Sequence, residues 1–173
     1  SWWSSQTSRV AAATTIPGSI GEVVLRQSGG SAELAVDAAF NSPQLSLDDW
    51  QTIRINAPIT APQINLRPDA AGEAVLASDL TGNVTLEQGT LRGAGTVFGS
   101  LGLNAGTSLA PGASPGTLNV TGNLTLNPAS TLLAELGGTG QGSTYDWINV
   151  TGTASLDGTL DVTLWGGFTP SGE

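Results

Sequence analysis

Asp48 and Asp49, beside Trp50 and followed by Arg54 and Arg67, are the residues whose types and spacing could do chemistry. Two carboxylates held about 5–10 Å apart can serve as acid and as base or nucleophile on a glycosidic bond. The two arginines would then contact a sugar or a uronate carboxylate. A plainer reading competes with this one: a loop whose acids are solvated, with Trp50 starting a strand. The sequence favours the plainer reading, because the rest of a catalytic apparatus is missing. The chain has no His, no Cys and no Lys. That excludes Ser–His and Cys–His arrangements and Ser–Lys pairs, disulfides, and zinc sites built on thiolate or imidazole. The expectation is a chain that is not an enzyme, with no catalytic, cofactor-binding or metal-binding residues and no cofactor.

Other motifs are equally bland. Asp146, Asp157 and Asp161 are scattered, and no Asp-x-Asp-x-Asp-Gly run exists to cage calcium. The stretch Gly137-Gly138-Thr139-Gly140-Gln141-Gly142 lacks the Asp of a glycine-rich calcium repeat and reads as a flexible loop. Asn83, Asn119, Asn123 and Asn149 each open an Asn-x-Thr triplet. These asparagines read as corner residues whose side chains satisfy exposed backbone groups. Thr151-Gly152-Thr153 is the only Thr-x-Thr step of a kind that could bind ice or carbohydrate in columns, and its register does not repeat.

Composition narrows the partners. There are 14 acidic residues and 5 basic ones, a net charge of −9, and all the basic ones are arginine: Arg9, Arg26, Arg54, Arg67 and Arg92. Nucleic acid and anionic membrane surfaces are not expected as partners, since both need clustered cations. No apolar run approaches the ~18 residues of a membrane span. Only 11% of residues are charged, far below the roughly 25% of ordinary domains. Thr, Ser, Asn and Gly cover the surface instead, as in repetitive extracellular β-proteins. The chain begins at Ser1 rather than Met, which reads as a processed chain or a piece of a longer one.

The elements that must position these residues are strands. Apolar residues alternate with polar ones at Ile53/Ile55, Ile64/Leu66, Val84/Leu86, Leu118/Val120, Leu124/Leu126, Ile148/Val150 and Leu160/Val162/Leu164. All of these are expected to face one core. Thr-Gly-Asn recurs at Thr81 and Thr121, Thr-Gly-Thr follows at Thr151, and Gly-Thr-Leu occurs at Gly89, Gly116 and Gly158. Such self-similarity marks a solenoid, in which each coil hands its apolar face to the next. Coils of about 18–25 residues, roughly seven to nine of them, would fit. No stretch makes a convincing helix; Asp69–Leu80 is ambiguous, and a short cap helix near Val10–Thr14 is the other candidate. The fold expected is all-β, a single parallel β-helix. Residues 1–15 are read as an N-terminal segment or cap and residues 16–173 as continuous β-helix.

From Gly89 onward the residues carry a resemblance. The stretches are Gly89-Thr90-Leu91, Gly95-Thr96-Val97, Leu109-Ala110-Pro111-Gly112, Ser114-Pro115-Gly116-Thr117-Leu118 and Thr121-Gly122-Asn123-Leu124-Thr125-Leu126. They are followed by Tyr145-Asp146, Val150-Thr151-Gly152-Thr153-Ala154 and Gly158-Thr159-Leu160. About residues 89–173 resemble the passenger-associated transport repeat of bacterial autotransporter-type surface proteins. The resemblance implies a right-handed parallel β-helix, exported and displayed outside a bacterial cell or secreted from it. In that family the repeat serves as a stalk or folding segment and has no catalytic residues to carry over.

The ends remain. Ser1-Trp2-Trp3-Ser4-Ser5 places two indoles at a chain end, where frayed polar residues are usual. One reading makes them an apolar plug on the first coil. The other docks them on a neighbouring copy, with Trp165 and Phe168 at the opposite end as the complementary surface. The functional expectation is a structural solenoid, either a stalk or a fibre subunit that stacks head to tail into a homo-oligomer or filament. The competing expectation is an adhesin or glycan-binding β-helix.

Overall fold

The structure, a computed structural model, describes residues 7–10, 14, 15, 21–27 and 32–170. These residues form strands and turns, with no helix among them. Strand pairs along the stack are parallel from Thr7–Val10 against Glu33–Val36 to Thr131–Leu136 against Thr159–Leu164. The chain is a β-solenoid. Its first sheet is eight strands deep. That sheet runs from Thr7–Val10 through Glu33–Val36, Thr52–Ile55, Glu73–Leu76, Thr90–Gly93, Ser108–Pro111 and Thr131–Leu136 to Thr159–Leu164.

A second sheet of twelve strands supplies the rest of each coil. It has two limbs. One limb stacks Phe40–Asn41 on the start of Ile59–Arg67, then Leu80–Leu86, Gly95–Phe98, Thr117–Val120 and Trp147–Val150. The other stacks Val23–Arg26, Leu45–Asp48, the end of Ile59–Arg67, the end of Leu80–Leu86, Leu101–Leu103, Leu124–Leu126 and Ala154–Ser155. Short strands of this kind bury little alone. Stacked in register, their alternate side chains make continuous columns. Leu34, Ile53, Ala74, Leu91 and Leu109 form one, Phe40, Ile59, Leu80, Val97 and Val120 another, and Leu47, Leu66, Leu86, Leu103 and Leu126 a third. All these side chains are buried. Each added Leu or Ile contributes about 1.5–3 kcal/mol of transfer free energy.

The Thr-Gly-Asn repeat is the corner between the two limbs. A Cβ on Gly99 would run into the carbonyl of Gly82 below it, and one on Gly122 would come within 2.7 Å of the Gly99 carbonyl. Only glycine lets successive coils approach there, and Gly82 and Gly99 also hold φ of 132° and 152°. The residue after the glycine ties the coils together. The Ser100 N–H donates to Asn83 Oδ1 at 3.1 Å, the Asn123 N–H to Ser100 Oγ at 3.1 Å, and the Thr153 N–H to Asn123 Oδ1 at 2.9 Å. Thus Asn83 and Asn123 do what corner asparagines were expected to do. Asn119 and Asn149 do not: they lie within strands and meet side chain to side chain, Asn149 Nδ2 donating to Asn119 Oδ1 at 3.3 Å.

Three further expectations are corrected. Glu73–Leu76 is a strand, so the ambiguous stretch Asp69–Leu80 contains no helix. Val10 ends one strand and Thr14 starts another, so neither end of the expected cap helix is helical, and residues 11–13 between them lie outside the described residues. Leu160, Val162 and Leu164 were placed in the core with Leu124 and Ile53, yet they are 62%, 48% and 51% exposed. Leu160 does stand in the inward column above Leu132. Among the described residues no strand stacks beyond its own, so nothing there closes over it. Ile148 and Val150, on the end strand of their own limb in the same turn, are half-buried for the same reason.

Candidate functional site

The most distinctive surface is the C-terminal end of the stack. Leu156, Leu160, Val162, Leu164, Trp147 and Trp165 are all exposed there. Behind them lies an open apolar cavity of about 240 Å³, lined by Leu124, Leu132, Ala134, Ile148, Val150 and Leu156. It is the continuation of the solenoid's own core, open to solvent. The Trp165 N–H donates to the Leu136 carbonyl at 2.9 Å, and the ring packs over Gly137, where a Cβ would meet ring Cε3 at 2.7 Å. Gly166 and Gly167, with φ of 63° and 74°, turn the chain sharply so that the Phe168 N–H donates to the Trp165 carbonyl at 3.0 Å. Trp165, 39% exposed, and half-buried Phe168 therefore sit together at one corner of this open end. Their expected partners Trp2 and Trp3 lie outside the described residues.

The Asp48–Asp49 pair is built differently from either sequence reading. Asp48 ends a strand and is buried, with Arg26 of the preceding coil donating to its carboxylate at 2.8 Å. Asp49 occupies the corner with φ of 63° and lies 3.4 Å from the same guanidinium. The hydrogen bond that Arg26 donates to Asp48, and then the charge of Asp48, hold the Arg26 guanidinium above its ordinary pKa. Trp50 does not start a strand. It plugs the corner, buried, its indole N–H donating to the Leu25 carbonyl at 3.1 Å.

The arginines assigned to a sugar are also occupied. Arg54 pairs with Glu33 at 3.1 Å and Arg67 with Glu87 at 3.8 Å, as Arg92 does with Glu73 at 2.6 Å. Arg26, Arg54, Arg67 and Arg92 each reach a carboxylate on an adjacent coil, so they act as struts along the stack. Exposed pairs of this type each contribute about 0–1 kcal/mol.

A second carboxylate pair escaped the sequence reading. Asp146 accepts the Gly116 N–H at 2.9 Å and the Glu135 N–H at 2.8 Å, joining two coils at one corner. Burial pushes its carboxyl above the usual aspartate range, against the pull of those two N–H donors, and the nearby charge of Glu135 adds to the rise. Glu135 accepts from Ser114 Oγ at 2.8 Å, while its other oxygen, Oε2, is buried without a partner. Both acids line a cleft of about 270 Å³ with Arg92, Ser114 and Thr163. A signal was present: Gly116–Gly122 and Asp146–Gly152 share the pattern x-x-apolar-Asn-Val-Thr-Gly, which sets Asp146 beside Gly116. The glycine-rich stretch before Asp146 is held by its own bonds, with the Gly140 N–H donating to Thr144 Oγ1 at 2.7 Å and the Gly142 N–H to the Tyr145 carbonyl at 2.9 Å. Among the described residues no group of three or more acidic side chains is placed to hold a metal ion, and no helix is long and apolar enough to cross a membrane.

Comparison with known proteins yields no matching family model, no matching curated protein and no matching solved structure. The resemblance of residues 89–173 to a passenger repeat stands on the quoted residues alone.

Proposed function

We propose that this chain is a non-catalytic structural solenoid of a bacterial exterior, right-handed as the passenger repeat would make it, which serves as a subunit stacking end to end into a fibre. A stalk within a longer surface protein uses the same physics, with a further coil of one chain in place of a second copy. The observation that carries the reading is the open C-terminal end. A soluble surface rarely leaves a contiguous core column in water unless something covers it. Leu156, Leu160 and Leu164 stand there beside Trp165, more than half exposed except for Trp165 itself. The strand Thr159–Leu164 adds an edge that is unpaired among the described residues, and such an edge in a β-protein invites another strand. Trp2 and Trp3 are the apolar residues proposed to seat on it.

Electron microscopy and light scattering of the intact chain over a concentration series test the reading. Filaments one solenoid wide are expected, and deletion of residues 1–5 should abolish them while leaving the β circular-dichroism spectrum unchanged. A strictly monomeric protein at high concentration would remove the fibre role. A glycan-binding reading has one support, the cleft between Arg92, Glu135 and Asp146, and a binding screen against acidic and neutral glycans tests it.

A further inference from the structure

We infer that the middle coil, residues 95–103, carries a site for a neutral, ribbon-like oligosaccharide, with the Phe98 ring as its stacking platform and Ser100 and Gly102 as the floor beside it. This goes beyond the fibre reading and does not depend on it. The site lies on the outward face of the second sheet, and none of its residues lines the Arg92–Glu135–Asp146 cleft.

Three successive coils share one phrase. It reads Thr-Gly-Asn-Val-Thr-Leu at 81–86, Phe-Gly-Ser-Leu-Gly-Leu at 98–103 and Thr-Gly-Asn-Leu-Thr-Leu at 121–126. The register stacks Val84, Leu101 and Leu124 in one column and Leu86, Leu103 and Leu126 in the next, all of them buried. Glycine holds the corner in each coil, at 82, 99 and 122. The middle coil thus meets every inward and corner demand that its neighbours meet. It departs only at the outward positions, where Thr, Asn and Thr give way to Phe98, Ser100 and Gly102.

The fold asks for neither Phe98 nor Gly102. A Cβ on Gly102 would meet nothing within 4 Å, and its φ is not left-handed. Thr85 and Thr125 stand on either side of it in register. A glycine inside a strand weakens it, and where no bulge or bend requires one it marks the close approach of another molecule. Phe98 pairs with Thr81, is 48% exposed and lies outside the core cluster. A lone exposed ring is ordinary on a protein surface. A ring raised beside an unneeded glycine, on one coil and one face, is a platform next to a recess.

The surroundings choose the ligand. Thr81, Asn83 and Thr85 flank the recess on one side and Thr121, Asn123 and Thr125 on the other. These rows lie roughly 10 Å apart, twice the spacing of neighbouring strands. Phe98 and Gly102 are at most about 13 Å apart along the coil, the scale of a short oligosaccharide. No residue of the three rows is charged, which suits a neutral glycan, and the net charge of −9 disfavours an acidic one. Asn83 and Asn123 give Oδ1 to the N–H groups of Ser100 and Thr153. Their Nδ2 groups are left to donate to hydroxyl or acetamido oxygens. Thr85 Oγ1 accepts from Gln63 Nε2 at 3.1 Å and keeps its own proton to donate. The negative face of the Phe98 ring attracts the axial C–H groups of a pyranose whose substituents are equatorial. Glucose and N-acetylglucosamine in β-linkage form flat ribbons of that kind, and a sheet face is flat.

Isothermal titration calorimetry of the intact chain with cellohexaose and chitohexaose tests the site, with hexagalacturonate as the acidic contrast. At least one neutral hexamer should bind, and hexagalacturonate should not. Phe98→Thr and Gly102→Thr each copy the flanking coils, so both should keep the native melting temperature or raise it. Each should weaken binding about tenfold or more, while Phe98→Trp should bind as the native chain does. A chain that binds neither neutral hexamer overturns the site. Unchanged affinity in Phe98→Thr, or a preference for hexagalacturonate, puts the ligand elsewhere and overturns it as well. A melting temperature lowered by Gly102→Thr would return that glycine to the fold and remove the recess. Each of these outcomes leaves the fibre reading standing.

Discussion

The middle coils and the last coil are made of the same material and end in different states. Thr52–Ile55 and Thr159–Leu164 both alternate polar with apolar residues, and both lie in the first sheet. Ile53 and Ile55 are fully buried, whereas Leu160 and Leu164 are more than half exposed. In a helix bundle an apolar stripe finds its partner within one fold. In a solenoid, a coil's burial belongs to the interface with its neighbours, so the last coil carries a core that only another coil can complete.

Substitutions can break or sharpen that contrast. The largest effect is expected in the middle. Leu124, 2% exposed, truncated to Ala should cost about 2–5 kcal/mol in chemical denaturation. Leu160→Ala in dilute monomer should cost less than about 0.5 kcal/mol. Equal costs would mean that the end is closed in solution. At the corners, Asn83→Ala leaves the Ser100 N–H without its acceptor and should cost about 0.5–1.5 kcal/mol. Thr153→Ala, at the last such corner, should be silent in the same assay.

The smallest effect is one of pH. The Asp146 carboxyl is raised in the folded state above its ordinary 3.8. The folded chain then holds that proton more tightly than the unfolded chain does. The Asp146 contribution is therefore most favourable below the ordinary value, declines as pH rises through the interval up to the raised value, and is flat above it. The melting temperature of the native chain minus that of Asp146→Asn should fall across this interval. A difference that rises instead would reverse the assignment.

Local rules made much of this legible. The alternating pairs located strands, and Thr-Gly-Asn located a corner, because each depends on residues within one turn of chain. What stayed hidden depended on residues a whole coil away. Asp48 read as solvated because Arg26, which covers it, lies 22 residues earlier. Asp146 looked isolated because the Gly116 N–H it accepts is 30 residues distant. Leu160 read as core because its pattern is that of Leu124; only the stacking of coils reveals that, among the described residues, no strand covers its own.

The open end as an assembly face is tested most directly by sedimentation velocity of the intact chain, run over a concentration series beside Leu160→Asp. End-to-end assembly requires the native chain to shift to larger species as concentration rises, while Leu160→Asp stays monomeric with an unchanged melting temperature. A native chain that sediments as a monomer throughout, or a Leu160→Asp chain that associates just as strongly, would contradict it.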